Sequence, residues 1–342
     1  MKTAEVCLLA PRAGRALAEG IAAELGVALW PLEEREFEDG EHKSRPLASV
    51  RGRDVYVVQS LNGDAGQSVN DRLVRLLFLL RALKDLGAAR LTAVLPYLAY
   101  ARKDRRTQPR DPVNSRTLAQ LLEAVGTDRV LTVDVHNLAA YQNAFRIPAE
   151  HLEARPLFAA HLAPLLAGEE ICVVSPDAGG VKRAEAFRQT LSRLLARPPT
   201  AAFVEKYRAQ GEVWGETVVG EVAGRLAVLI DDLVASGTTL SRAARACRAA
   251  GARRVLAVAT HGVFTPAAGE ALAEPALEGL FITDTVCPPR PLPPAVANKV
   301  STLSIVPLLA EAIRRLAGDG SLSDLLELPP AGSSAPAPSW PR

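Results

Sequence analysis

Asp231 and Asp232 stand side by side at the end of an apolar run, Ala227 to Ile230. A small-residue turn follows, Ala235-Ser236-Gly237-Thr238-Thr239, and a helical pattern opens at Leu240. A strand that passes through Gly, Ser and Thr into a helix leaves backbone N–H groups unpaired at the positive end of the helix dipole, a cradle that suits a phosphate. Carboxylates at the end of that strand can accept hydrogen bonds from sugar hydroxyls beside the phosphate. The run therefore reads as a pocket for a phosphorylated ribose, against the plainer alternative of a βα turn with an acidic end.

Four further segments carry groups of matching chemistry. In VVSPDAGGVKRAEAF (173–187), Asp177 follows an apolar strand, and Gly179-Gly180 let a helix start close to a ligand. Asp177 is either a contact for Mg²⁺, which takes one or two carboxylates and shares its other positions with phosphate and water, or a cap for the next helix. In Asp134-Val135-His136-Asn137 the imidazole of His136 directly follows a buried strand, although a hard cation prefers oxygen. Phe37-Glu38-Asp39-Gly40-Glu41 sets an aromatic ring beside a tight acidic turn, suited to stacking on a purine and bonding its edge. Arg102 and Lys103 open a cationic loop after the strand at Leu91–Leu95, suited to a polyphosphate. Lys206 and Arg208 lie in a polar stretch that reaches Gly215, where mobile cations can close over a transferring phosphoryl group.

The elements that must position these groups alternate. Near-continuous apolar runs at Val6–Ala10, Val55–Gln59, Leu91–Leu95, Val130–Val133, Cys172–Ser175, Ala201–Val204, Ala227–Ile230 and Val255–Thr260 predict parallel strands covered on both faces. Between them, Asn70–Leu86, Asn114–Val125 and Leu240–Ala250 carry helical leucine or alanine spacing, with Asn or Thr in front and Gly behind as expected caps. The alternation predicts an α/β fold with open, mainly parallel sheets flanked by helices, in which ligands sit at the carboxyl ends of strands. LTVDVHN (131–137) and VLIDDLV (228–234) echo each other, which points to a duplicated fold with a boundary near 151–156. Residues 318–342, rich in Pro, Ser, Gly and Ala, read as a flexible tail.

The chain's 342 residues leave room for two cores, and its formal charge of +2 gives no ground for nucleic-acid binding. The run contains no 18-residue apolar segment and no signal-like start, so a cytoplasmic protein with no membrane partner is expected. Cys7, Cys172, Cys247 and Cys287 are far apart, without metal-ligand spacing, and fit reduced thiols.

Taken in order, FEDGE, SVRGRDVYVVQS, LPYLAYARKDRR, TVDVHN, VVSPDAGGVKRA, FVEKYR and IDDLVASGTT resemble the ribose-phosphate diphosphokinase (PRPP synthetase) family from about residue 5 to about 317. The resemblance implies two type I phosphoribosyltransferase-like domains: 1–153 on the ATP side, joined by a helix at 304–317, and 154–303 on the ribose-5-phosphate side. It implies that ATP and ribose 5-phosphate give AMP and PRPP with Mg²⁺ as cofactor, in a homo-oligomer that is hexameric or dimer-based. Phe37, Asp39, Gly40, Glu41, Arg102 and Lys103 would bind ATP, and His136 and Asp177 would sit at the metal. Lys206 and Arg208 would be catalytic, and Arg208, Asp231, Asp232, Ala235, Ser236, Gly237, Thr238 and Thr239 would hold ribose 5-phosphate.

The chain also departs from the family pattern. Ala235 replaces a common Asp, DVHN replaces the usual DLHA, and Lys103 replaces a common Gln. Ser44-Arg45-Pro46 stands where many relatives continue a strand. Two other functions share parts of the pattern. A PRPP-using phosphoribosyltransferase needs only one such domain. A non-catalytic regulatory homologue would have lost the cations and metal ligands that are kept here.

Overall fold

The computed structural model of the chain describes residues 6–209, 212–286 and 290–327, with side chains described except at 206–209 and 212–216. The chain divides into two compact units, one formed by the described residues of Met1–Glu153, Thr285–Cys287 and Ile305–Leu325, the other by those of Ala154–Asp284, Pro288–Ser304 and Leu326–Arg342.

In the first unit, strands β1 (Val6–Leu9), β4 (Asp54–Val58), β5 (Arg90–Leu95), β6 (Arg129–Val133) and β7 (Ala149–Leu152) form a parallel five-stranded sheet in that order. Every residue of β4 is buried, which explains why its sequence is a continuous apolar run and not an alternating one. Helices α1 (Arg15–Leu25), α2 (Val69–Asp85), α3 (Asn114–Ala124) and α4 (Leu138–Ala144) accompany the sheet. Along α2, Leu73, Leu76, Leu79, Leu80 and Leu83 are buried while Leu77 is only partly so. Each such leucine contributes about 1.5–3 kcal/mol. The cap of α2 is Ser68 and not Asn70: its hydroxyl accepts from the Asp71 amide at 3.1 Å while Asp71 accepts from the Ser68 amide at 2.8 Å. This reciprocal pairing satisfies two amides that the first turn would otherwise strand.

Beside this sheet, β2 (Leu32–Glu36) and β3 (His42–Pro46) pair as an antiparallel hairpin. The strand therefore continues through Ser44-Arg45-Pro46, contrary to the departure inferred from sequence. Pro46 ends β3, a position where its missing N–H interrupts no further pairing. The late helix α10 (Val306–Ala317) belongs to this unit and packs on α1, where Arg314 Nη2 donates to the Glu24 carbonyl at 3.2 Å.

In the second unit, β8 (Ile171–Ser175), β9 (Thr200–Ala209), β10 (Glu212–Gly220), β11 (Leu226–Val234), β12 (Arg254–Gly262), β13 (Gly279–Thr283) and β14 (Val300–Leu303) build a seven-stranded sheet in the order β10-β9-β8-β11-β12-β13-β14. Only β10 runs antiparallel to its neighbour. Helices α5 (Arg155–Leu165), α6 (Val181–Ser192), α7 (Thr238–Ala249), α8 (Ala268–Leu272) and α9 (Pro294–Ala297) join the strands. The polar stretch from Glu205 to Gly215 is mostly strand in the structure, lying in β9 and β10, because Val204, Tyr207, Val213 and Thr217 favour a pleated backbone.

The expected tail begins later than its composition suggests. Residues 318–327 fold down, with Leu325 buried and the Gly320 amide donating to the Arg315 carbonyl at 2.7 Å. The rest of that segment, 328–342, lies outside the described residues.

Candidate active site

Strand β11 outruns its neighbour β8. Their pairing stops at Leu229↔Val174, whereas β12 pairs with β11 as far as Val234↔Gly262. Asp231 and Asp232 thus lie within β11, on the part whose β8 side is open, and not beyond its end. Asp232 is buried and Asp231 partly so. Asp231 Oδ1 accepts from the Asp232 amide at 2.9 Å. Burial, then the Asp232 charge beside it, push the Asp231 carboxyl above the usual carboxylate range.

Arg183, on the first turn of α6, opposes that shift. Its Nη1 stands 3.5 Å from Asp231 Oδ1 and 3.4 Å from Asp232 Oδ1. Sequence reasoning passed over this residue. The signal that could have found it is an arginine just after Gly179-Gly180, on a helix launched from the strand next to β11.

The turn after β11 leads directly into α7. Gly237 caps α7 with φ +76°, and a Cβ there would meet Leu272 Cγ at 2.8 Å, so backbone freedom and space both require glycine. Ser236 Oγ lies 3.0 Å from Thr238 Oγ1, and the Thr238 amide donates to Ser236 Oγ at 3.4 Å. From below, amides of the segment after β12 hold the turn: Val263 and Phe264 donate to the Val234 carbonyl at 3.0 and 3.1 Å, and Thr265 to Ala235 at 2.9 Å. Phe264 does so at φ +39°, a strained conformation for a bulky residue, fixed by burial of its ring. The amides at the start of the 12-residue helix α7 have no acceptor within the helix and carry its positive dipole end.

Asp177 acts as a cap: its Oδ1 accepts from the Gly179 and Gly180 amides at 3.0 and 3.2 Å. Lys206 and Arg208 occupy β9, opposite Glu216 and Val213 of β10, and their side chains lie outside the described ones.

In the first unit, the segment after β6 turns through Asp134 at φ +41°. The Asp134 amide donates to Leu152 at 2.9 Å and the Val135 amide to His151 Nε2 at 3.3 Å, leaving His136 exposed. The cationic loop after β5 is organised around Asp111. That carboxylate accepts from Lys103 Nζ at 2.5 Å, from the Thr107 hydroxyl and amide at 2.8 and 3.0 Å, and from the Gln108 amide at 3.0 Å. The Lys103 ammonium, followed by the Thr107 and Gln108 donors, holds the Asp111 carboxyl far below its usual range. Lys103 is therefore a fastener of its own loop, whereas Arg102 is exposed with no ion-pair partner among the described residues.

Phe37 stands where the β2–β3 hairpin turns. Its amide donates to the Glu41 carbonyl at 2.8 Å, Glu41 donates to Asp39 Oδ1 at 3.0 Å, and the ring is 40% exposed with the Arg35 guanidinium 5.0 Å from its centroid.

Among the described residues no three His, Cys, Asp or Glu converge as a metal cage.

A mainly parallel α/β sheet thus carries a carboxylate pair within β11 and, just past that strand, a glycine-started helix. A family model described as the N-terminal domain of ribose phosphate pyrophosphokinase matches residues 6–126, and a phosphoribosyl synthetase-associated domain matches 207–327. Similar proteins include a ribose-phosphate pyrophosphokinase of Granulibacter bethesdensis, 39% identical over 94% of this chain and 99% of that one. Ribose-phosphate pyrophosphokinase 1 of Streptococcus pyogenes is 36% identical over 96% and 99% of the two chains. The crystal structure of phosphoribosylpyrophosphate synthetase from Mycobacterium smegmatis superposes with a TM-score of 0.83 at 35% identity, covering 92% of this chain and all of that one. The chain belongs to the ribose-phosphate pyrophosphokinase family.

Proposed function

We propose that the protein transfers the β,γ-diphosphoryl group of ATP to the 1-hydroxyl of D-ribose 5-phosphate, giving PRPP and AMP. The observation that carries this reading is the carboxylate pair of β11 running into the Ser236–Thr239 cradle of α7, in a chain of this family.

The amides and hydroxyls of residues 235–239 take the 5-phosphate, while Asp231 and Asp232 accept hydrogen bonds from the ribose hydroxyls. Arg183 opposes the rise of the Asp231 carboxyl and so favours its ionised form, in which both oxygens only accept. Phe37 stacks on adenine, with Asp39, Gly40 and Glu41 beside its edge, and Arg102 meets the phosphates within a loop that Lys103 keeps in shape. As the bond from O1 to the β-phosphorus forms, O1 gives up its proton to water and the bond from that phosphorus to the α-phosphate oxygen breaks, releasing AMP. Such transfers ask the protein mainly for positioning and charge neutralisation. Lys206 and Arg208 supply cations to the transferring group. Mg²⁺ would neutralise phosphate charge, and Asp177 of the second unit and His136 of the first are each proposed as a contact for such an ion.

We further assign a cytoplasmic location, consistent with the free, buried thiols of Cys7, Cys172 and Cys247. A homo-oligomer is supported by Phe78 and Val74, which lie exposed one turn apart on α2. Purified protein given Mg-ATP and ribose 5-phosphate is expected to form AMP and PRPP in equal amounts. AMP absent, or formed without the sugar phosphate, would reject the activity. Light scattering gives the oligomer directly.

A further inference from the structure

We propose that Asn137 is a positioning residue for the nucleotide side of the reaction, latching the loop that carries Arg102 to the strand end that carries His136. The inference rests on the function proposed above and adds a residue that touches no substrate.

The Asn137 side chain works at both ends. Its Oδ1 accepts from the Ala140 amide at 3.1 Å, capping α4. Only the carbonyl end of a carboxamide can accept from an N–H, so this bond fixes which way the amide points. The Nδ2 is thereby committed to the other side, where it donates to Asp104 Oδ2 at 2.7 Å. The acceptor is a carboxylate, so the bond belongs to the stronger, charge-assisted kind.

Asp104 lies two residues after Arg102, in a loop otherwise fastened within itself, by the hydrogen bonds converging on Asp111 and by the Ser115 amide donating to the Lys103 carbonyl at 3.2 Å. Those bonds hold the loop to itself and to the start of α3; without Asn137 it would lose its tie to the segment after β6, and Arg102 would be presented less often in one place. The segment holding Asn137 is itself stiff, since it follows Asp134 in a left-handed conformation and the buried Val135. A stiff anchor, a directed amide and a carboxylate on the loop make a latch whose loss weakens nucleotide binding and leaves the chemical step alone.

Four proteins test this: the parent, Asn137→Ser, Asn137→Asp, and the exchange Asn137→Asp with Asp104→Asn. Ser and Asp are both good helix caps, so α4 and the melting temperature are expected to hold in every variant. Asn137→Ser is expected to raise KM for ATP about three- to tenfold with kcat within about twofold, the size of one lost hydrogen bond. Asn137→Asp sets two carboxylates face to face and is expected to do worse. The exchange restores a donor, now on residue 104, and is expected to recover most of the loss.

Parental KM in Asn137→Ser, or an exchange no better than Asn137→Asp alone, overturns the latch. Amide hydrogen exchange over residues 100–111 gives a second readout that needs no turnover. Protection is expected to fall in both single variants and return in the exchange, and equal protection in all four also overturns it. A parent that forms no AMP rejects the function instead, and the exchange measurement still decides the latch.

Discussion

Arg183 Nη1 bridges the two carboxylates of β11, 3.5 Å from Asp231 and 3.4 Å from Asp232. Two adjacent carboxylates in a buried position repel, and a guanidinium shared between them offsets part of that repulsion. Arg183→Ala is expected to raise KM for ribose 5-phosphate about tenfold, roughly one charge-assisted bond, and to move the acidic limb of kcat/KM to higher pH. Arg183→Lys should recover part of the shift by restoring charge without the fork. An unaltered pH profile in Arg183→Ala would mean that the arginine does not govern the pair.

Stability should report on the same carboxyl. Asp231 is held above its ordinary value of 3.8, so the neutral acid is the favoured form in the fold. Its contribution is fully present below the ordinary value and fades as pH rises through the raised one. Asp231→Asn, uncharged throughout, is therefore expected to gain melting temperature over the parent at about pH 8 and little at about pH 4. A gain that is the same at both pH values would contradict the assignment.

Lys206 is expected to act in the transition state. Its replacement by Ala should lower kcat by a factor on the order of 10²–10³ with little change in either KM. Near-parental turnover, measured by AMP release, would remove Lys206 from the mechanism.

Gly237 has no tolerable substitute on two counts, φ +76° and the Leu272 side chain 2.8 Å from any added Cβ. Gly237→Ala is expected to cost about 1–3 kcal/mol and to raise KM for ribose 5-phosphate more than KM for ATP. Equal effects on the two substrates would argue that the turn is structural only.

The parallel strands were legible because sheets covered on both faces are written as continuous apolar runs, as in β4 and β11. The β2–β3 hairpin was not, since LEERE and HKSRP carry no such run and are joined by backbone pairing and by Lys43 and Arg45 meeting Glu33 across the strands. Helix bodies followed leucine spacing, but caps did not. Ser68 with Asp71 was masked by the more prominent Asn70, and α7 starts on a glycine in place of a polar cap. Arg72 looks like a solvated helix residue in sequence. In the structure it is fully buried, paired with Asp64 and donating to Asn62 Oδ1 at 2.8 Å. Among candidate site residues, types and order were readable, but partners were not. Lys103 turning to Asp111, Asp177 capping its own turn and Arg183 reaching across to β11 are contacts between segments, which local patterns do not encode.

Because α10 completes the unit to which α1 belongs, with Arg314 bonded to Glu24 across 290 positions of sequence, that unit is topologically split. On the ribosome, α1 must wait with an apolar flank uncovered until residues 306–317 have emerged. Such distant closure slows folding and lengthens exposure to aggregation and proteolysis. Shortening the gene before codon 306 should therefore harm the beginning of the protein first, at the flank of α1 that α10 would have covered.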